Sequence, residues 1–212
     1  MAPPLPRSPE IMLPEDTGLL VVDIQERLLA AQPTPDRLVW NVKRLIEGAQ
    51  ALGVPIAVTE QYPEKLGSTS KPLAQQLDFD SQTPSASATG IDGTALKGFH
   101  PYRKEAFSCG ECGELFANWR KFGIERVLVC GMETHVCVQQ TVLDLLADGY
   151  QVQVAVDGVS SRFAINHETG LRRMELSGVL LTTIEAALFE WCGRAGTPQF
   201  KKISALVKDK GP

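Results

Sequence analysis

VLVCGMETHVCVQQTVLDLLAD, Val127 to Asp148, is the stretch whose reading decides the fold. Val127, Leu128 and Val129 form an unbroken apolar run with the length and branching of a buried parallel strand. The run stops at Cys130-Gly131. From Thr134 the apolar residues Val138, Val142, Leu145 and Leu146 fall at helical spacing. A strand is therefore predicted to turn sharply into a helix whose first turn carries Cys137. A thiol in that place meets unpaired backbone N–H groups and the positive end of the helix dipole. Both favour thiolate and predict a lowered pKa.

The same alternation extends outward from this stretch. Upstream, Gly18 to Ile24 (GLLVVDI) is a second short apolar run, and it ends on an acid, Asp23. Such a carboxylate is either a turn residue or a functional acid. Thr34-Pro35 has the form of a helix start, and Leu38, Val42, Leu45, Ile46 and Ala49 carry the helix to Gly53. Val54 to Val58 reads as another buried strand, followed by Thr59-Glu60-Gln61-Tyr62-Pro63. Periodicity then weakens from Tyr62 to Phe99, with polar loops around a short helix near Leu73 to Leu77 and a further loop over Ser81 to Thr94. A strand is predicted over Tyr102 to Ala106 and a helix over Glu111 to Phe122.

Downstream, Tyr150 to Val156 is a strand ending on Asp157, and Asn166 is placed to cap a helix through Leu176. A strand over Val179 to Thr182, a helix over Ile184 to Cys192 and an amphipathic tail helix after Pro198 complete the pattern. Strands alternating with helices imply a parallel sheet covered on both faces, joined by right-handed crossovers. In such sheets ligands bind beyond the carboxyl ends of the strands, where strand order reverses. Asp23, the Lys104 segment and Cys137 all fall at predicted strand ends, on one rim.

Composition bounds the function classes. The 212 residues fit one domain over 17–212 behind an extended, proline-rich arm over 1–16, and 43% apolar with 22% charged residues is an ordinary globular balance. A net charge of −4 argues against nucleic acid and anionic membranes as partners. No apolar run reaches membrane-spanning length, and the start lacks the centre of a secretory signal. A cytoplasmic protein with reduced cysteines is the expectation.

A thiol, a carboxylate and an ammonium group brought together suit acyl transfer from an amide, with the carboxylate as acid/base, the lysine holding its charge, and backbone N–H groups at the bend receiving the oxyanion. Spacing alone leaves that constellation weak. The order DIQE at Asp23, RKEAFS around Lys104 and GMETHVCVQQT over Gly131 to Thr141 resembles the isochorismatase-like cysteine hydrolases, from about Gly18 to Leu188. TEQYPEKLG over Thr59 to Gly67 and the stretch DGVSSR are similar to the isochorismatase domain-containing proteins within that superfamily.

The resemblance implies a three-layer α/β/α sandwich with a six-stranded parallel sheet. It implies Cys137 as nucleophile, Asp23 as general acid/base and Lys104 as the third member of the triad. It also implies a cis peptide between Met132 and Glu133, aiming the Glu133 and Cys137 N–H groups at the oxyanion. Nicotinamidases of this superfamily carry an aspartate and histidines after the second strand that bind a metal. Here that region reads Glu60-Gln61-Tyr62-Pro63, with no histidine before His100, so no metal and no cofactor are expected. Isochorismatases proper lack the nucleophilic cysteine.

Gln25, Gln61, Tyr62 and Phe107 flank the predicted strand ends and are candidate pocket-lining residues for a small-molecule substrate. His135 is two residues from Cys137, a spacing that puts the two on different helix faces and favours a pocket-wall or interface residue over a Cys–His pair. His100 and His167 read as solvated, and Asp157 as a cap or a second acid. Cys109-Gly110-Glu111-Cys112 is either a redox pair or the ordinary start of a helix. Phe189, Trp191 and Phe200 are candidates for a homo-oligomer interface. The expected activity is hydrolysis of a C–N bond in a small amide or carbamoyl compound. The alternatives are a catalytically silent binding module on the same fold and a thiol–disulfide protein using the CGEC pair.

Overall fold

Strands β1 (Thr17–Val22), β2 (Ile56–Gln61), β3 (Tyr102–Lys104), β4 (Arg126–Met132), β5 (Gln151–Ser160) and β6 (Leu180–Thr182) are joined by helices in the computed structural model, which describes residues 5–79 and 100–212. The predicted loop over Ser81 to Thr94 lies outside the described residues. All neighbouring strands pair in parallel, in the order β3-β2-β1-β4-β5-β6. Strand order therefore reverses between β1 and β4, and the rim beyond their carboxyl ends is where a ligand site is expected.

Alternation along each strand fills the two faces of the sheet separately. Leu19 and Val21 of β1, with Leu128, Cys130 and Met132 of β4, face α2 (Pro35–Leu52), α8 (Ile184–Cys192) and α9 (Pro198–Lys208). Leu20 and Val22, with Val127 and Val129, face α5 (Gly113–Lys121), α6 (Gln139–Ala147) and α7 (Ala164–Leu176). The result is the three-layer sandwich expected. Short helices α1 (Glu26–Leu29), α3 (Pro63–Leu66) and α4 (Lys71–Gln76) follow β1 and β2 on the functional rim. No helix among the described residues is long and apolar enough to cross a membrane.

Several boundaries differ from the sequence reading, each for a local reason. β4 does not stop at Cys130 but runs to Met132. Gly131 allows this with φ +125, where a Cβ would come within 2.0 Å of the Val22 carbonyl oxygen. A glycine read as a terminator is thus the point where two strands approach most closely. β5 runs on through Asp157 to Ser160, because the ladder shifts register: β4 advances from Val129 to Gly131 while β5 advances from Val154 to Val159. Asp157 is a cap rather than a second acid, accepting from the Ile184 N–H at 2.8 Å at the start of α8. Asn166 lies inside α7, whose N-cap position is Phe163. Of the three proposed interface aromatics, Trp191 is buried in the core, and Phe189 packs against Phe200 with centroids 6.5 Å apart.

The N-terminal arm is fastened to the body. Met12 is buried and its N–H donates to Glu190 Oε2 at 3.0 Å, while the Pro9 carbonyl accepts from Arg126 at 3.0 Å. The tail helix α9 is capped by Thr197, whose hydroxyl accepts from the Phe200 N–H at 3.0 Å, and buries Ile203 against the α2 and α8 layer.

Candidate active site

Asp23 follows β1 directly and adopts φ +49, a left-handed conformation that aspartate tolerates better than most residues. Its N–H reaches the Thr59 carbonyl on β2 at 3.2 Å. Its carboxylate, fully buried, accepts from Thr59 Oγ1 at 2.7 Å on one oxygen and from Lys104 Nζ at 2.6 Å on the other. Lys104 ends the edge strand β3 and spends its remaining donors on the carbonyls of Phe107 at 2.9 Å and Ala106 at 3.1 Å. Both side chains of this ion pair are 0% exposed. Burial works against the lysine's charge, but the Asp23 carboxylate outweighs it, and the Lys104 pKa is raised.

Cys137 arrives from the other side of the switch point. The Met132–Glu133 peptide is cis, as the resemblance implied, and Thr134–Val138 forms one wide π-type turn before α6. The Glu133 carbonyl accepts the N–H groups of Val136 and Val138, passing over that of Cys137 between them. Helix α7 closes over this turn at Gly170, where a Cβ would lie 3.1 Å from the His135 Cα. Glu133 turns its buried side chain away, accepting at Oε1 from the Arg162 N–H at 3.0 Å and Nε at 2.9 Å.

The Cys137 thiol donates to Gln61 Oε1 at 3.5 Å and also interacts with the Asp23 carboxylate. Its pKa is raised, the reverse of what the helix N-terminus predicts. Burial is the largest cause, the charge of Asp23 adds to it, and Lys104 only partly opposes them. The resting sulfur is therefore a neutral thiol with a carboxylate in reach.

The other predicted site residues divide into two groups. Gln61 faces the sulfur. Tyr62 (46% exposed) and Phe107 (52% exposed) stand on the surface flanking Lys104, whose carbonyl accepts the Tyr62 N–H at 2.9 Å. A cleft of about 430 Å³ opens beside Tyr62, lined with it by Pro63, Glu64, Arg103, Lys104, Glu105 and Glu111. Gln25 does not line a pocket. It is fully buried, its amide nitrogen donating to the carbonyls of Gln61 at 3.0 Å and Gly67 at 2.6 Å, so it braces the loop after β2.

Thr59 and Cys109 belong to the site, although neither was singled out for it. Thr59 donates to Asp23 and lies 3.5 Å from the Cys109 sulfur. Because the one hydroxyl proton is committed to the carboxylate, Cys109 is the donor in that contact. The Cys109 N–H is held by Thr141 Oγ1 at 2.9 Å, one helical turn beyond Cys137. Burial first, then Asp23, pushes the Cys109 thiol up to about 12, and burial pushes Cys112 up to about 11. Thiols so disfavoured as thiolates are poor exchange partners. The CGEC stretch instead starts a helix, with Ser108 Oγ accepting the Gly110 N–H at 3.0 Å.

His135 is turned to Ser161 Oγ at 3.0 Å, away from a Cys–His pairing. His100 and His167 are half-buried rather than solvated, and His167 Nδ1 lies 2.9 Å from Thr134 Oγ1. Among the described residues no three His, Cys, Asp or Glu side chains gather around a point where a metal could sit. Glu60, the acid near the end of β2 in the stretch where a metal ligand would be sought, instead accepts the N–H and hydroxyl of Thr69 at 2.5 and 2.7 Å.

This geometry can be set beside known proteins. A mouse protein named isochorismatase domain-containing protein 2A is 34% identical over 201 residues, covering 95% of this chain and 87% of its own. A protein of Phytophthora sojae named secreted isochorismatase effector Isc1 is 33% identical over 198 residues, 93% of this chain and 87% of its own. A solved structure described as the MAR1 ribonuclease of Caenorhabditis elegans superposes with a TM-score of 0.79 at 32% identity, over 95% of this chain and 94% of that one. With the isochorismatase domain model matching residues 17–186, from the first residue of β1 into α8, the chain belongs to the isochorismatase family.

Proposed function

We propose that the protein is a metal-independent cysteine hydrolase that cleaves the C–N bond of a small amide or carbamoyl-type compound. The observation carrying this reading is the buried Asp23–Lys104 pair, 2.6 Å apart, with the Cys137 thiol set against it. Asp23 takes the thiol proton as the sulfur attacks the carbonyl carbon, so a free thiolate need not accumulate beforehand. Lys104 stays charged and keeps the carboxylate in place. The N–H groups of Glu133 and Cys137 receive the developing oxyanion, where one donor is worth about 3–4 kcal/mol of barrier. Asp23 then returns the proton to the departing nitrogen, leaving a thioester on Cys137. Water deprotonated by Asp23 attacks the thioester, releasing the acid and restoring the thiol.

The nematode relative is named a ribonuclease. Phosphodiester chemistry would call on a basic surface, and the net charge of −4 favours a small-molecule substrate over nucleic acid. We extend the proposal to a homo-oligomer in a reducing, cytoplasmic setting. Support comes from Phe163, Ile165 and Leu176 left exposed along α7, and from five free cysteines. The test is turnover of a panel of small amides, with RNA as a parallel substrate, by the wild type, Cys137→Ala and Cys137→Ser. Loss of amide turnover in both variants supports the reading. Unchanged turnover in both, or cleavage of RNA alone, removes it.

A further inference from the structure

Gln61, the last residue of β2, is held at nearly every polar atom it has. Its backbone N–H donates to Gln25 Oε1 at 2.8 Å, and its carbonyl accepts from Gln25 Nε2 at 3.0 Å. Its side-chain Nε2 donates to the Glu105 carbonyl at 3.1 Å, on the loop just past Lys104. That bond fixes which way the amide faces: nitrogen to the Glu105 carbonyl, Oε1 to the Cys137 sulfur at 3.5 Å. The residue is 8% exposed, so rotating the amide would leave the Glu105 bond unmade with little water to replace it.

In the resting site this is harmless, since the thiol donates its proton to Oε1. Once that proton passes to Asp23, two acceptors, a sulfur lone pair and an amide oxygen, face each other across 3.5 Å. Only a group bringing its own donor settles the pair. A substrate whose scissile carbonyl carries N–H does this, because its nitrogen is bonded to the carbon the sulfur attacks. An ester or an N,N-dialkyl amide of the same shape places a lone pair or a methyl there instead.

We propose that Gln61 Oε1 is the specificity-determining acceptor of the site: it reads an N–H on the scissile group and restricts the substrate class to amides and ureido compounds whose scissile nitrogen carries hydrogen, over esters and tertiary amides. This rests on the hydrolase reading and deepens it. Gln61 acts as a reader of the leaving group and takes no proton itself.

The test needs no known substrate. Rates of Cys137 labelling by iodoacetamide and by N,N-dimethyl iodoacetamide are measured by peptide mass at one pH, in the intact protein. In each reaction the sulfur attacks the methylene carbon, displaces iodide and forms a thioether, and the amide nitrogen on the adjacent carbonyl carbon, one bond farther out than in a substrate, still comes within hydrogen-bond reach of an acceptor 3.5 Å from the sulfur. The ratio of the two rates is then divided by the same ratio for glutathione. The expected wild-type value is roughly 10- to 100-fold, the worth of one buried hydrogen bond to a reacting group, falling to about one in Gln61→Met. A wild-type value near one overturns the proposal whatever the variant does, and so does a high value that Gln61→Met leaves unchanged. If the ratio is high but no small amide is turned over, the hydrolase reading fails and the acceptor role stands. If amides are turned over through Cys137 with a ratio near one, the acceptor role alone fails.

Discussion

Replacing Lys104 with methionine keeps the unbranched stem to within one atom and removes the terminal ammonium group with its charge and donors. The partner left behind, Asp23, is 0% exposed, so water cannot take over from the lost ammonium group. An orphaned buried charge of this kind costs roughly 3–5 kcal/mol. Here the Ala106 and Phe107 carbonyls lose a donor as well. Against a typical total stability of about 5–15 kcal/mol, the loss is large enough to read in urea unfolding at pH 7. Asp23→Asn/Lys104→Met removes both charges and keeps an oxygen to accept from Thr59 Oγ1. It is expected to regain most of what Lys104→Met loses, giving a coupling of about 2 kcal/mol or more in a double-mutant cycle.

The pH dependence of that cost has a definite sign. The Lys104 pKa is raised in the fold, chiefly by Asp23 against the opposing effect of burial. A lysine so held contributes its full stability below its unfolded pKa of about 10.4 and loses it as pH rises through the higher folded value. The gap between wild type and Lys104→Met should accordingly be widest near neutrality and close only in strong alkali. A Lys104→Met cost below about 1 kcal/mol at pH 7, or a double variant as unstable as the sum of the singles, refutes the buried-pair reasoning.

Thr59→Val removes the hydroxyl that donates to Asp23 and accepts from Cys109, and should cost about 1.5–3 kcal/mol in urea unfolding, with Thr59→Ser recovering most of it. Burial and Asp23 hold the Cys137 thiol protonated, so its iodoacetamide labelling rate should still be rising at pH 10. A plateau below pH 9 in the wild type contradicts that cause. Gly131→Ala places a Cβ 2.0 Å from the Val22 carbonyl oxygen at φ +125 and should yield no soluble folded protein. Gly149→Ala, at φ +87 with open space around it, should cost only about 1 kcal/mol in thermal or urea unfolding.

The parallel sandwich was legible because its strands are continuous apolar runs and its helices carry three-to-four spacing, patterns that burial on both faces forces on a sequence. The rim was legible in part for a similar reason: Asp23 is a charge closing a buried strand, where a merely structural residue would be apolar, whereas Lys104, on the half-exposed edge strand β3, stood out only through the RKEAFS resemblance. What stayed hidden depends on contacts between distant segments. Thr59 looks like any strand threonine until β2 is laid beside β1 and its hydroxyl meets Asp23. Gln25 and Gln61 look alike in sequence, yet one is consumed by the backbone and the other faces the sulfur, a difference set by the register of β2 against the turn after β1. The direction of the Cys137 pKa was misjudged because a helix N-terminus is a local feature, whereas burial and a neighbouring carboxylate are tertiary ones and here outweigh it.

That reversal bears on how the site can work. The thiol has one proton and two acceptors in reach, Asp23 and Gln61 Oε1, while Asp23 already holds donors from Thr59 and Lys104. Proton transfer to Asp23 therefore gains little by itself, since it trades a neutral thiol for a buried sulfur anion facing a fixed amide oxygen. It becomes favourable when a carbonyl carbon is present to take up the sulfur's electron pair and an N–H is present to occupy Oε1. Deprotonation and attack are then coupled to the arrival of one kind of substrate, and in its absence the sulfur rests as an unreactive thiol. On this argument Gln61→Met, which clears the opposing oxygen, should speed labelling of Cys137 by the dimethyl reagent more than by iodoacetamide itself.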